Sequence, residues 1–363
     1  MQVDNEHEAH DYQRTVLMGD PTYFSVQGGA NPHTRTRWGT KRKVDRERAI
    51  QQWGQLKATL EELDIRVVVV PPDEQQPGLV YPANAGCQSD VDHPDPIGAK
   101  VFTLSNLLPT RAAEKAHYKR LLEGMGFLTS EIDEAYRFEG EADFFPAGDV
   151  YLFTYGTLEE QRFVPTFGIP PWKRVYGFRT DVRVAALLAP KVAPREILKI
   201  GLVREAHYHG DTALCAFGSN RGDLLVYRDA IEPGDMKLLE DRFGERLLEL
   251  SKEDAERYAA NSFCYEREGD CFLIIPGGVS DRLIAQIRER DVTPITVDVS
   301  EFLKKGGGSV KCMIGDLGFL AGGPATPTSA LAEGLPQPAA AEQSKGTRKS
   351  PGGKPRRRLR RRR

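Results

Sequence analysis

Cysteine is scarce in this 363-residue chain, and its five positions, Cys87, Cys215, Cys264, Cys271 and Cys312, form an odd set without a CxxC pair. That excludes a disulfide framework and a structural zinc knot, so each thiol is expected to be free. Long apolar runs are also missing, and the opening MQVDNEHEAHDYQR is polar and acidic. Neither a membrane span nor a secretory leader is expected, which places the chain in the cytoplasm. The net charge is only −2. That balance is local rather than uniform: Lys345 to Arg363 holds eleven Lys or Arg and no acid, leaving −13 for residues 1–344.

What is present is an ordinary globular composition, 40% hydrophobic and 28% charged, in a chain long enough to bury a large core. Beyond residue 320 the sequence turns to Ala, Pro, Gly and Arg. Such a segment buries too little apolar surface to offset its ordering entropy, so 321–363 reads as a disordered basic tail. Its arginines could contact nucleic acid or another polyanion through counterion release, while a solubilising or incidental extension is the simpler reading. Residues 1–20 read as a flexible extension, and 21–320 as one catalytic body.

Within the body, helices and strands alternate. Ala49, Ile50, Trp53, Leu56, Leu60 and Leu63 share one face of a helix over 45–63, which leads into a Val-rich strand at 66–70 stopped by two prolines. A second helix is expected over 110–124, with others near 234–248 and 280–290. Strands are expected at 150–155, 197–203, 212–217, 223–228, 271–275 and 294–298. The result is an α/β or α+β protein with no self-similarity at a fixed period.

Five stretches carry candidate chemistry. In FLKKGGGSVKCMIG, three glycines approach Cys312. Glycine permits close backbone approach to a ligand, and a thiol delivered there can act as a nucleophile; a turn followed by a buried cysteine explains the same letters. In AHYHGDTALCAFG, His207 and His209 alternate as on an extended face, with Asp211 two residues further. Too few ligands lie nearby for a metal, so acid/base work is the better reading. In FEGEADFFPAGD, Glu139, Glu141 and Asp143 recur with period two; if extended, the three carboxylates face one way and call for a cation between them. QQPGLVYPANAG ends in a turn around Asn84, and VYGFRTD presents Arg179 as a carboxylate grip.

Taken in order, NPHTR, PGLVYPANAG, FEGEAD, GFRTD, HGDT and GGGSVKC resemble the motifs of the guanidine-modifying superfamily: arginine deiminases, dimethylarginine dimethylaminohydrolases and amidinotransferases. The resemblance spans the body from PTYFSV at 21–26 to GDLG at 315–318. It implies a pentein fold, a five-bladed α/β propeller of ββαβ units. It also implies Cys312 as nucleophile, His209 as general acid/base, Asp211 as the guanidinium holder with Glu139, Glu141, Asp143 and Asn84 around it, and Arg179 on the substrate carboxylate.

Two departures from the family pattern stand out. Tyr81-Pro82-Ala83-Asn84 replaces a motif carrying an acid, and Glu139-Gly140-Glu141-Ala142-Asp143 is one residue longer than the usual Glu-Gly-Gly-Asp. The reaction so implied is hydrolysis of the guanidinium group of arginine or a methylated arginine, with no metal or organic cofactor. Amidino transfer to an amine, arginine dihydrolysis and noncatalytic arginine binding are the alternatives, and a homodimer stays open.

Overall fold

The computed structural model describes residues 12–26, 31–34, 42–94, 96–159, 162–166 and 169–321. The basic tail beyond residue 321 and the first eleven residues lie outside them.

One local pattern recurs five times: two antiparallel strands, a helix, and a third strand parallel to the second. The chain begins in the middle of such a unit, with β1 (Tyr12–Gly19), α1 (Arg46–Glu62) and β2 (Arg66–Val70). Next come β3 (Gly86–Gln88), β4 (Val101–Leu104), α2 (Glu114–Gly124) and β5 (Leu128–Glu131). The third unit holds β6 (Phe144–Ala147), β7 (Val150–Tyr155), α3 (Val184–Val192) and β10 (Glu196–Gly201), with a hairpin of β8 (Arg162–Thr166) and β9 (Ile169–Val175) inserted before its helix. The fourth comprises β11 (Leu214–Phe217), β12 (Asp223–Val226), α4 (Pro233–Phe243) and β13 (Leu247–Glu249). After a short α5 (Lys252–Glu256), β14 (Phe263–Arg267), β15 (Asp270–Pro276), α6 (Asp281–Arg288) and β16 (Val292–Val297) form the fifth. A last helix, α7 (Ser300–Gly306), precedes β17 (Gly315–Ala321). That strand pairs antiparallel with β1, completing the unit opened at the chain's start.

The second strand of each unit is paired on both edges and covered on both faces, hence the near-continuous apolar runs YLFTY and CFLII. Capping fixes several helix starts: Asp45 accepts from Arg48 N, Ser280 from Leu283 N, and Glu232 from Gly234 N and Asp235 N, with Pro233 beginning its helix. Leu283 and Ile287 of α6 are buried, each such side chain contributing about 1.5–3 kcal/mol.

The sequence reading differs from the structure in several places, three of which bear on the architecture. Residues 12–19, set apart as part of a flexible extension, are a buried strand paired on both sides. The α2 helix starts at Glu114 rather than Thr110, because residues 108–114 form turns in which Arg111 N bonds Leu108 O and Glu114 N bonds Arg111 O. And a repeat does exist; unequal spacing hides it, since the first strands of successive complete units begin at residues 86, 144, 214, 263 and 315. Among the described residues no helix is long and apolar enough to cross a membrane.

Candidate active site

Each unit's first strand is preceded by a short turn, and the turns meet. Pro82–Asn84, Gly140–Ala142, Gly210–Thr212 and Lys311–Met313 are single 3₁₀ turns, and the fifth is closed by Asn261 N on Tyr258 O at 2.8 Å. The first packs on the second and on the last, and the second on the third. Asn261 bridges the remaining gap: its Nδ2 donates to Asp211 O at 3.1 Å, and its backbone O accepts from Lys311 N at 3.1 Å. Gly140 permits this closeness, because it has φ +70° and a methyl group there would lie 2.5 Å from Gly86 O.

Cys312, only 3% exposed, stands on the last turn and lines a cavity of about 120 Å³ with Tyr81, Asn84, Arg111, Tyr208 and His209. Its Sγ lies 3.4 Å from Asp211 Oδ2 and accepts from Asn261 Nδ2 at 3.2 Å. Burial, reinforced by the Asp211 carboxylate, pushes the thiol well above its ordinary pKa, while the Ser309 backbone and the Asn261 amide oppose that rise. The glycines before it shape this wall. Gly307 ends α7 in the left-handed region at φ +81°, and a side chain at Gly308 would meet the Tyr81 ring at 2.5 Å and Cys312 Cβ at 3.0 Å.

His209 faces the same cavity with its Nε2 2.7 Å from Glu139 Oε2. Burial disfavours the imidazolium, but the Asp143, Glu139 and Asp211 carboxylates outweigh it and raise the pKa. Glu139 moves the opposite way: against the cost of burial, His209, Arg179 and Arg111 hold its carboxyl below the ordinary range. Asp143 supports the arrangement from behind, accepting from Thr154 and Thr180 hydroxyls at 2.6 Å each and from Gly210 N at 2.9 Å. Burial lifts Asp211 to about 6, although His209 and Lys311 counter it. Among the described residues its Oδ1 is buried without a hydrogen-bond partner, an expensive condition that a cationic donor would relieve.

Of the positions named from sequence, Cys312, His209 and Asn84 line this cavity, while Asp211 touches the sulfur and lines a separate cavity of about 60 Å³. The Arg179 guanidinium lies 5.1 Å from the centre of the Tyr208 ring, itself part of the cavity wall. The three acids of FEGEAD do not share a face. The turn at Gly140 breaks the extended run, so Glu139 meets His209, Asp143 meets the hydroxyls, and Glu141 points elsewhere. Glu141 pairs with Lys311 Nζ at 3.0 Å and accepts from Asp316 N at 2.7 Å beside that same separate cavity of about 60 Å³.

The two histidines also part company, since Glu205–His207 is helical rather than extended. His207 Nδ1 sits 2.9 Å from Thr212 O between Tyr227 and Tyr258, and burial lowers it to about 4.

Two site residues escaped the sequence reading. Arg111 donates to Asn84 Oδ1 at 2.9 Å and grips Glu114 with two bonds of 2.8 Å. Asn261 is fully buried against the sulfur. A signal existed for Asn261: Ala260-Asn261 precedes a strand by one residue, much as Ala83-Asn84 precedes Gly86.

Comparison with known proteins places this geometry in context. A family model described as N,N dimethylarginine dimethylhydrolase, eukaryotic, matches residues 204–318. The chain is 30% identical over 298 residues to the bifunctional arginine dihydrolase/ornithine cyclodeaminase AgrE of Nostoc sp., covering 82% of this chain and 37% of that protein. It is 27% identical over 300 residues to N(G),N(G)-dimethylarginine dimethylaminohydrolase of Mycobacterium tuberculosis, covering 82% and 84%. The solved complex of a cysteine-to-alanine variant of AgrE with L-arginine matches with TM-score 0.69 and 26% identity over 84% of this chain and 40% of that one. The chain thus spans 37% of the length of both bifunctional cyanobacterial relatives.

Proposed function

We propose that this chain, which belongs to the guanidine-modifying superfamily, hydrolyses the guanidinium group of arginine or a methylated arginine through a covalent intermediate on Cys312. The observation that carries this reading is the Asp211 carboxylate, with Oδ2 3.4 Å from the sulfur and Oδ1 buried with no hydrogen-bond partner among the described residues. A planar cation seated there gives Oδ1 its donor and sets a guanidinium carbon within reach of a thiolate. The proposed frame is a five-bladed pentein propeller in which the five turns surround the site.

Charge delocalised over three nitrogens makes the guanidinium carbon a poor electrophile, so alignment and a strong nucleophile are both needed. The bound cation favours the thiolate that burial and Asp211 otherwise oppose. Cys312 Sγ adds to the carbon, and His209, held protonated by Glu139, gives its proton to the departing ammonia or methylamine. Loss of that amine leaves an S-alkylthiouronium. Water then attacks the same carbon as neutral His209 takes its proton, and collapse expels the thiolate to leave a ureido product. Arg179, with Arg111 nearby, holds the substrate carboxylate.

A second reading is arginine dihydrolysis, in which the ureido product passes through the same two steps, releasing a second ammonia to give a thiocarbamate on Cys312 whose hydrolysis yields a carbamate that loses carbon dioxide and leaves ornithine. Position 84 favours it. Asn84 is a neutral amide with its Oδ1 taken by Arg111 and its Nδ2 3.4 Å from Glu139 O, so it brings no charge with which to prefer a guanidinium over a urea. Arginine dihydrolases among the relatives support the same view. Amidino transfer to an amine would use the same thiouronium.

Incubation with arginine, methylarginines and agmatine, with and without glycine, followed by mass identification of products, separates these outcomes. Citrulline marks single hydrolysis, ornithine with two ammonias marks dihydrolysis, and guanidinoacetate marks transfer. An intact panel, or turnover that survives Cys312→Ser, ends the proposal.

A further inference from the structure

Four of the five turns bring residues whose roles are already accounted for, namely Asn84, Glu139, His209 with Asp211, and Cys312. The fifth, Tyr258–Asn261, brings a side chain that sequence motifs and the mechanism above leave idle. Asn261 is fully buried, and its side-chain amide makes four hydrogen bonds, one of them to the sulfur. Oδ1 accepts from Ser309 N and from Cys312 N, each at 3.1 Å. Nδ2 donates to Asp211 O at 3.1 Å and to Cys312 Sγ at 3.2 Å.

The orientation of this amide is dictated by its surroundings. Two converging backbone N–H groups require an oxygen, so the nitrogen is left for the carbonyl and the sulfur. A flipped amide would set NH₂ against two N–H donors and strand both. The donor on Sγ is therefore built in. A neutral thiol is a weak acceptor and a thiolate a strong one, so a fixed N–H pointing at sulfur favours the anion. Across the sulfur stands the Asp211 carboxylate, which favours the proton. The same amide holds both turns, so it also fixes how far Asp211 stands from the sulfur.

We propose that Asn261 is a catalytic residue that stabilises the Cys312 thiolate by direct donation and sets the Cys312–Asp211 spacing. This rests on Cys312 being the nucleophile, but its test does not depend on turnover. The pH at which Cys312 becomes half-reactive toward iodoacetamide is read by peptide mass on wild type, Asn261→Asp and Asn261→Ala. Asn261→Asp keeps an acceptor for both N–H groups and replaces the donor on sulfur with oxygen; Asn261→Ala removes both.

Each folded variant is expected to raise the half-reactive pH by at least about one unit, and to lower single-turnover formation of the Cys312 adduct by at least about tenfold at neutral pH. An unchanged half-reactive pH in a folded variant overturns the proposal, whatever happens to turnover. Should neither variant fold, the side-chain NH₂ resonance of Asn261 in asparagine-labelled wild type provides the measure. It is expected to shift across the pH range in which Cys312 gains reactivity and to move on alkylation, and a stationary resonance refutes the donation. Turnover that survives Cys312→Ser refutes the assigned function alone and leaves the alkylation result standing.

Discussion

Asp211 Oδ2 lies 3.4 Å from Cys312 Sγ, and the other oxygen of the same carboxylate is buried with no partner among the described residues. Without a cation two anions are disfavoured here, since burial raises both pKa values and the carboxylate raises that of the thiol further. With a guanidinium between them, both find a counter-charge. Strain of this kind is maintained where it serves binding.

Removing the sulfur tests the chemistry directly. Cys312→Ser is expected to lower kcat by at least about 10⁴-fold while arginine still binds, as measured by calorimetry. No mass adduct should form on Cys87, Cys215, Cys264 or Cys271 during wild-type turnover.

Asp211→Asn should trade activity for stability. The folded-state pKa of Asp211 is raised to about 6, so the folded protein binds the proton more tightly than the unfolded chain. Stability from this group therefore falls as pH rises between the ordinary carboxylate range and about 6, a penalty on the order of 3 kcal/mol once the group is ionised. At pH 7.5 the variant should melt several degrees above wild type, and at pH 4 the gap should shrink. Its KM for arginine should rise at least about tenfold, and wild-type kcat/KM should decline below about pH 6 as Asp211 protonates.

Glu139→Gln should move the alkaline limb of kcat to lower pH. Glu139 helps keep His209 protonated above its ordinary value, so a neutral amide releases that proton sooner. Stability follows from the paired shifts. The His209 contribution is complete below the unfolded value of about 6.5 and is lost as pH rises through the raised folded value. The Glu139 contribution is complete above about 4.3 and is lost as pH falls toward its lowered one. The variant's deficit in chemical denaturation should accordingly be largest between about pH 4.5 and 6.5.

Gly140→Ala should disrupt both fold and site. At φ +70° a methyl group would stand 2.5 Å from Gly86 O and 2.8 Å from Ala83 O, backbone atoms with little freedom to retreat. A loss of about 2 kcal/mol or more in urea denaturation is expected. Reduced kcat should accompany it because Glu139 is the adjoining residue.

Much of this was legible in the sequence. Apolar periodicity located α1, β2, β7, β15 and α6 to within a few residues, because each packs one consistent face or is covered on both. Motif resemblance brought Cys312, His209 and Asp211 together although roughly a hundred residues separate the first from the others. Side-chain direction was less legible. The period-two acids and histidines suggested extended backbone, yet tight turns at Gly140 and at Glu205–His207 send alternate residues to different partners. Arg111 left no local trace because its importance lies in a long-range contact with Asn84, and Asn261, whose contact is with Cys312, was marked only by the repeat of Ala-Asn ahead of a strand. The repeat was hidden by insertions such as the β8–β9 hairpin.

The pairing of β1 with β17 joins Tyr12 to Ala321 and Leu17 to Gly315, residues from opposite ends of the described fold. Cys312 sits three residues before β17, and that strand leads into the unit assembled from both ends. The turn that carries Cys312 is therefore anchored by the closure of β17 on β1, so loss of either strand removes the support on which the sulfur is placed.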